Sequence, residues 1–353
     1  MTAPGPGPAG LRFTALGDSL TEGVGDPLPG GGWRGWAALL AESLGSPGRP
    51  VRLANLARSG ARTGDTAEEQ LTEARRHRPH LASVIVGGND ILRSAFDLHR
   101  STRDLDLLIG TLAADGAVVL TACLPDPGRM LRLPAAVARP LSRRMRSVNE
   151  VVHQLSRRHD ALHAHFADHP VAGDRAAWSV DRLHPSERGH RLLAREFHAL
   201  LTARGLTAGP PPDDRTDQPP PTPAADLRWM ATRGARWALD RSRDLLPGLV
   251  RLAAVETAHR VRGTTDRLDA AARASVRAAL LATAAAPAAA PGPGPRAPSG
   301  AVPSAVPSAA PAGAGPGRAR PARRTAPLPP PLRPPPLPGR TVPAVADLAR
   351  CPP

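Results

Sequence analysis

The sequence is poor in the residues that support several classes of protein. It has only two cysteines, Cys123 and Cys351, and no tyrosine, and aromatic residues make up 3% of its 353 residues. One cysteine falls in a predicted strand and the other near the C-terminus, so a disulfide scaffold is excluded. No Cys-x-x-Cys spacing of the kind that holds structural zinc is present.

Long apolar runs are missing as well. The longest nearly apolar stretch, Leu245–Val255, contains Pro247, Gly248 and Arg251. It is well short of the ~20 residues that a membrane-spanning helix needs. The N-terminal segment MTAPGPGPAG has neither a basic start nor an apolar centre, so it predicts no secretory signal. We therefore expect a soluble, cytoplasmic protein.

Lysine is absent, so all 46 basic residues are arginine, and the formal net charge is +15. Residues 206–353 hold 20 of the arginines but only 10 of the 31 acidic residues, and so carry +10 of that charge. Charge concentrated there can attract anions without touching an active site elsewhere in the chain.

Short apolar runs alternate with amphipathic stretches over the first 205 residues. The runs lie at 11–16, 51–57, 81–87, 117–124 and 161–167. Runs this short and apolar are typical of parallel strands covered on both faces, and the stretches between them have helical spacing. The pattern predicts a doubly wound α/β fold with five parallel strands. Ligand sites in such sheets lie beyond the carboxyl ends of the strands.

Composition divides the rest of the chain. Residues 1–10 predict a flexible N-terminus, the proline-rich segment 207–223 a linker, and residues 224–286 two to four short arginine-rich helices with a break at Pro247–Gly248. Segment 287–353, with 21 prolines and a single acid, predicts a disordered tail. For the basic stretch around Trp229 and Trp237 we expect docking onto the first domain. Contact with an anionic membrane surface ranks second and phosphate-backbone binding third.

Polar residues follow four of the predicted strands. They are Ser19 after the first run, Asn55 and Gly60 after the second, Asn89 and Asp90 after the third, and Asp181 and His184 after the fifth. A serine nucleophile needs an adjacent base, and a carboxylate can fix the tautomer of an imidazole base. A glycine lets a backbone N–H approach a ligand, and an asparagine can aim its amide at the same point.

The same residue types have structural uses at these positions. Asp18 and Ser19 are suitable helix N-caps, Gly60 a turn residue, and Asn89 and Asp90 turn caps. In the last segment, Asp181 or Ser186 can cap a helix while His184 stays solvated. Each segment alone leaves both interpretations open.

Taken together, the four segments resemble the SGNH, or GDSL, hydrolases. The matching blocks, in order, are Gly17-Asp18-Ser19-Leu20, Gly60 within Asn-Leu-Ala-Arg-Ser-Gly, Gly87-Gly88-Asn89-Asp90, and Asp181-Arg182-Leu183-His184. The resemblance covers residues 11–206. It implies a three-layer α/β/α, flavodoxin-like fold and ester hydrolysis without cofactor or metal.

By that resemblance Ser19 is the nucleophile, His184 the base and Asp181 its orienting partner. The oxyanion hole would consist of the Ser19 and Gly60 backbone N–H groups and the Asn89 side chain. We therefore expect a serine hydrolase of small or lipid-like carboxylic esters. The alternatives are an acyl or acetyl transferase using the same triad, and a non-enzymatic binder of anionic surfaces working through the arginine-rich C-terminal half.

Three further features have a structural and a functional interpretation. His163, His165 and His169 could suggest a metal site, but the first two alternate with apolar residues as on a half-buried strand, which we favour. Trp33 and Trp36 are expected to anchor a helix to the core. The apolar segment 125–140, which includes Met130, is either a lid or acyl-chain wall or ordinary helix packing.

Overall fold

The computed structural model describes residues 10–285, apart from 47, 208, 220–221, 223, 225–226, 229–230 and 233–234. The side chains of 171–172 and of 233–246 also lie outside the described residues. The predictions for the N-terminus before residue 10, for the 287–353 tail, and for the side chains of Trp229 and Trp237 therefore fall outside what the structure describes.

Five parallel strands form one sheet. They are β1 (Arg12–Gly17), β2 (Arg52–Asn55), β3 (Leu81–Ile85), β4 (Val118–Ala122) and β5 (Leu162–Ala164). Their order is β2-β1-β3-β4-β5, and every neighbouring pair is parallel. Because helices cover both faces, the predicted three-layer α/β/α, doubly wound, flavodoxin-like fold is confirmed.

The helices of the sheet region follow the predicted amphipathic stretches. They are α1 (Ser19–Glu22), α2 (Gly35–Leu44), α3 (Thr63–Asp65), α4 (Leu71–Arg76), α5 (Leu98–Ala114), α6 (Pro127–Met130), α7 (Ala135–Arg158) and α8 (Glu187–Ala203). A π-helical turn, Thr66–Gln70, joins α3 to α4, and 3₁₀ turns at Phe166–Asp168, Pro170–Gly173 and Arg175–Ala177 precede α8.

Each face of the sheet has its own apolar core. On one face Trp36 of α2 is fully buried, with its ring centre 4.9 Å from that of Phe197 on α8 and 6.1 Å from that of Phe13 on β1. Trp36 therefore anchors its helix as expected, but Trp33 is 40% exposed, so the prediction was wrong for Trp33. Trp33 precedes the helix, and its backbone pairs with Pro27 instead.

The second core lies between the sheet and helices α5 and α7. It contains the buried residues Leu16, Val84 and Val119 from the strands and Leu105, Ile109, Val148 and Val151 from the helices. Two more helices, α9 (Ala235–Val261) and α10 (Thr265–Ala284), pack on the outer side of α5 and α7. We call them the C-terminal helix pair, and residues 11–206, which the resemblance predicts to be a hydrolase, the hydrolase region.

The predicted break at Pro247–Gly248 was wrong, because α9 runs through both residues. A proline inside a helix loses one backbone hydrogen bond and crowds the preceding turn, at ~3 kcal/mol or more. Packing against the hydrolase region offsets this loss. Gly248 is buried so close to Ser94 that a Cβ there would lie 2.9 Å from the Ser94 Cβ.

Segment 209–219 contains no helix or strand but lies against α8. The backbone N–H groups of Asp217 and Gln218 donate to the Glu187 carboxylate at 2.9–3.0 Å, and Arg195 donates to the Pro212 carbonyl at 2.8 Å. None of the described helices is both long enough and apolar enough to cross a membrane.

Candidate active site

The turn after β1 is built around a glycine. Gly17 has φ of +152°, and a Cβ there would lie 2.2 Å from the carbonyl oxygen of Ile85, so no larger residue fits without moving β3. Asp18 then caps α1, accepting from the Leu20 N–H at 3.1 Å. Ser19 is the first residue of α1, and its N–H has no acceptor within the helix.

Gln70, from the π-helical turn before α4, holds this turn in place. Its Oε1 accepts from the Gly17 N–H and its Nε2 donates to the Gly17 carbonyl, both at 2.9 Å. This two-point contact fixes the backbone immediately before Ser19. Sequence reasoning missed Gln70, because a glutamine 53 residues away carries no spacing signal that links it to the turn.

Ser19, His184 and Asp181 meet in one hydrogen-bonded chain. His184 Nε2 is 2.7 Å from Ser19 Oγ, and His184 Nδ1 is 2.7 Å from Asp181 Oδ2. An ionised carboxylate can only accept, so Nδ1 carries the proton and Nε2 presents its lone pair to the serine hydroxyl. The tertiary fold thus brings the three predicted residues together across 165 positions of sequence.

The surroundings of Asp181 keep it charged. Its Oδ1 accepts from Ser179 Oγ at 2.7 Å and from the N–H groups of Leu183 and His184 at 2.8 and 2.9 Å. Burial raises the pKa of Asp181, but the His184 side chain and these donors outweigh burial and lower the pKa to about 2. Burial by itself lowers the pKa of His184. The hydrogen bond to Asp181 and the negative charge of Asp181 outweigh burial, so the pKa of His184 lies above its ordinary value.

The predicted oxyanion donors differ in their surroundings. Gly60 lies in a turn with φ of +84°. The Asn89 amide donates to the Ala61 carbonyl at 3.0 Å and to Asp18 Oδ2 at 3.2 Å. Because the Asn89 amide already donates to these two acceptors, it can bind an oxyanion only if one of the two hydrogen bonds breaks. Burial of Asp18 raises the pKa of its carboxyl to about 6.

Neighbouring polar residues have structural roles. Asp90 accepts from the Thr63 N–H at 3.1 Å and from Thr63 Oγ1 at 2.7 Å, which ties the Asn89 turn to α3. Asn55 donates to the Thr21 carbonyl at 2.8 Å. Ser186, and not Asp181, caps α8.

Apolar side chains surround the Ser19 hydroxyl. The cleft is lined by Leu92, Leu124, Pro125, Pro127, Met130, Met145, Phe166, Trp178 and Leu183, together with the polar residues already described. Its volume is about 90 Å³. Segment 125–140 is largely helical, as α6 and the start of α7, and Met130 of α6 is part of the cleft wall. Met130 thus lies where an acyl-chain wall would be, and its role as such a wall stays a prediction.

Within the described part of the chain, the His, Cys, Asp and Glu side chains close enough to hold a metal ion are not at this cleft. They are Cys123, His163 and His165, whose ligand atoms lie within 4.8 Å of one another. His169 is apart from them, with its Nε2 3.6 Å from Glu196.

The sequence that builds this site matches a known protein family. The model of the GDSL-like lipase/acylhydrolase family matches residues 15–192, half of the chain. The chain belongs to this family, and it is a carboxylic ester hydrolase. The resemblance inferred from the four sequence blocks is thereby confirmed. Comparison with curated protein sequences gives no match.

Several solved structures are similar to part of this chain. LAE5, an alpha/beta hydrolase from the metagenome of Lake Arreo, Spain, is 23% identical, with 57% of this chain and 98% of LAE5 covered and a TM-score of 0.44. The acetylxylan esterase Axe2 from Geobacillus stearothermophilus is 22% identical, with 55% and 96% covered and a TM-score of 0.45. The psychrotrophic esterase EstA from Pseudoalteromonas sp. is 20% identical, with 56% and 99% covered and a TM-score of 0.44.

Proposed function

We propose that the protein hydrolyses carboxylic esters of short acyl groups through an acyl-enzyme on Ser19. The observation that carries the proposal is the unbroken chain of hydrogen bonds from Asp181 through His184 to Ser19, with both distances at 2.7 Å. A serine hydroxyl is a weak nucleophile, and a neutral imidazole in direct contact supplies the base it needs.

In the first step Ser19 Oγ attacks the ester carbonyl while His184 Nε2 takes the hydroxyl proton. The carbonyl oxygen becomes an oxyanion, which the Ser19 and Gly60 N–H groups and the Asn89 amide would bind. Collapse of this intermediate breaks the ester C–O bond, and His184 returns the proton to the departing alcohol. Asp181 stays ionised and stabilises the imidazolium.

Water then enters in place of the alcohol. His184 removes a proton from this water, which attacks the acyl carbon, and the second tetrahedral intermediate releases the acid and regenerates Ser19. An alcohol acceptor could replace water at this stage, which would make the reaction an acyl transfer. Hydrolysis is the proposal, because family membership assigns the chain to the acylhydrolases.

The size of the cleft supports short acyl groups. Its volume of about 90 Å³ is smaller than the ~150 Å³ of an apolar cavity that holds one benzene molecule. A chain of a few carbons fits such a space, whereas a long fatty acyl chain would have to leave the cleft or displace its wall. Met130, on the short helix α6, is part of that wall and offers a way to enlarge the cleft.

A panel of p-nitrophenyl esters from acetate to palmitate tests both parts of the proposal. We expect the highest kcat/KM with the short esters, and a loss of ~10⁴-fold or more in Ser19→Ala and in His184→Ala, because the two residues act as one unit. Ser43→Ala is the matched control, since this hydroxyl only bonds the Leu40 carbonyl on α2. Met130→Ala should shift the preference toward longer esters.

Retention of a tenth or more of wild-type kcat by Ser19→Ala would overturn the acyl-enzyme. A preference for palmitate would overturn only the short-acyl assignment. Faster product formation with an added alcohol, accompanied by a new ester, would favour acyl transfer.

A further inference from the structure

A second cluster of reactive side chains lies at the β5 edge of the sheet, on and just after β4 and β5. Cys123 directly follows β4, His163 is in β5, His165 directly follows β5, and His153 is on α7. Leu162, Ala164 and Phe166 point into the core, so the strand alternation expected from the sequence is present. The fold adds what the sequence did not predict, which is that Cys123 and His153 join the two histidines at one surface cavity.

Three imidazole rings lie close together, and the spacing of His163 and His165 matches that of two ligands around one ion. Their centres are 5.2 Å apart for His153 and His163, 5.2 Å for His153 and His165, and 4.9 Å for His163 and His165. Two imidazoles bound to a tetrahedral zinc ion at ~2.0–2.1 Å have ring centres ~5 Å apart. The ligand atoms of Cys123, His163 and His165 lie within 4.8 Å of one another, and His153 is not part of that group.

The hydrogen-bond network fixes the tautomer of His163. Ser156 Oγ donates to the Val152 carbonyl at 2.6 Å, so its single proton is used. Thr121 Oγ1, 2.7 Å from Ser156 Oγ, must then donate to Ser156 and accept from His163 Nδ1 at 3.0 Å. The proton is therefore on Nδ1, and Nε2 carries a lone pair.

That lone pair has no partner among the described residues, although His163 Nε2 is shielded from solvent. Buried polar atoms usually have a hydrogen-bond partner, and this one lies beside two other potential metal ligands. A metal-binding histidine usually donates its other ring N–H to an oxygen acceptor, as His163 does to Thr121.

Burial raises the pKa of the Cys123 thiol, which donates to the Ala164 carbonyl at 3.7 Å. One contact favours a thiolate, because the backbone N–H of Ala167 donates to the Cys123 sulfur at 3.4 Å. Zinc binding would release the thiol proton to solvent and leave this N–H bonded to the thiolate. Cysteine and histidine together are the donor set that zinc prefers among the biological divalent ions.

From these observations we propose a zinc site formed by Cys123, His163 and His165, with the His153 ring packed beside it. Three protein ligands leave one position of a tetrahedral ion for a water molecule. Leu124 lines both this cavity and the ester cleft. The ion would therefore hold the segment behind the cleft wall, and the site is independent of the function proposed for Ser19.

Titration of the tag-free full chain with Zn²⁺ against a chromogenic chelator tests the site. We expect one zinc per chain in the wild type and an affinity at least ~10-fold weaker in His165→Ala. His165 is exposed, so this variant should fold, and its melting temperature in a metal chelator should equal that of the wild type. His169→Ala is the matched control, because His169 belongs to the same sequence run but lies outside the cluster, and it should bind zinc normally.

Cobalt as a probe reports on the cysteine directly. The Co²⁺-loaded wild type should show tetrahedral d–d bands and a thiolate charge-transfer band, and Cys123→Ser should lose the charge-transfer band. Absence of zinc binding by the wild type, or equal binding by His165→Ala and the wild type, would overturn the proposal. So would cobalt spectra that Cys123→Ser leaves unchanged.

Discussion

A carboxylate and a basic side chain are shielded from water both inside the hydrolase region and where the C-terminal helix pair packs on α7, with different results. Asp181 and His184 expose 16% and 19% of their side chains and lie in line with the Ser19 hydroxyl. Glu256 of α9 is 2% exposed and meets Arg143 of α7 at 3.0 Å, and Arg143 also binds Asp269 at 2.7 Å. The Asp181–His184 pair is hydrogen-bonded to the reactive Ser19 hydroxyl, whereas the Glu256–Arg143 pair binds a second carboxylate, that of Asp269.

The two pairs differ in whether their basic side chain can change its protonation state near neutral pH. An imidazole between a carboxylate and a hydroxyl can gain and lose a proton near neutral pH, so the first pair can transfer protons. A guanidinium between two carboxylates cannot be deprotonated in this range, so the second pair can only bind. Changes in the first region should therefore alter rates at constant stability, and changes in the second should do the reverse.

The largest effect expected among single changes outside the triad is that of Asn89→Ala. Loss of one oxyanion donor should lower kcat by ~10²–10³-fold with little change in KM, because the donor acts mainly once charge has developed. Steady-state kinetics on a short ester measures this. Asn55→Ala is the control, since Asn55 binds the Thr21 carbonyl and should lose far less.

A change confined to KM would show that Asn89 binds substrate or caps its turn. If Asn89→Ala also lowered the free energy of unfolding in proportion to its loss of rate, the expectation that changes in the hydrolase region alter rates at constant stability would be wrong.

Glu256→Ala should have the opposite signature. Arg143 would keep Asp269 but lose its most buried partner, so we expect a loss of roughly 1–3 kcal/mol in the free energy of unfolding, with kcat/KM unchanged. Urea denaturation of the full chain measures the stability. Glu68→Ala, which removes an exposed ion pair with Arg100 at 3.5 Å, should cost less than ~1 kcal/mol. Equal stability of the Glu256 variant and the wild type would mean that the helix pair adds little.

The pH dependence of the rate should report on the first pair alone. The base must be neutral to act, so kcat/KM should fall up to ~10-fold per pH unit once pH drops below the pKa of His184. Because Asp181 raises this pKa, the acid limb should lie above the ordinary histidine value of ~6.5. Replacing Asp181 with Asn should move the limb to lower pH and also lower kcat, whereas Glu256→Ala should leave the limb where it is.

The smallest effect concerns the outer surface of the helix pair. Exposed apolar residues there are Val250, Val255, Val261 and Leu281, and exposed arginines are Arg251, Arg260 and Arg262. We propose weak binding to anionic vesicles that salt reverses, at ~1 kcal/mol for each arginine near the surface. Co-sedimentation of the wild type and Arg260→Glu/Arg262→Glu measures it, and equal binding to neutral vesicles, or none to either, would remove the membrane proposal.

Local chemistry determined much of this protein from the sequence alone. Short apolar runs specify buried parallel strands, and the carboxyl ends of such strands meet at one edge of the sheet. Strand-end positions therefore placed Ser19, Asn89 and His184 at that edge, and the resemblance to the SGNH hydrolases assigned their roles in one site. Features that depend on contacts between distant segments could not be assigned in this way. Gln70 reaches Gly17 across 53 positions, and only the folded chain brings Cys123 and His153 to His163.

At two places the tertiary structure differs from what the local sequence predicts. Pro247 should end a helix by its own backbone chemistry, yet α9 continues because packing against the hydrolase region outweighs one lost hydrogen bond. Trp33 and Trp36 are three residues apart and of the same type, but α2 begins at Gly35, so only Trp36 is on the helix and meets Phe13 and Phe197. Periodicity fixes which residues share a face, whereas burial depends on what the rest of the chain places against that face.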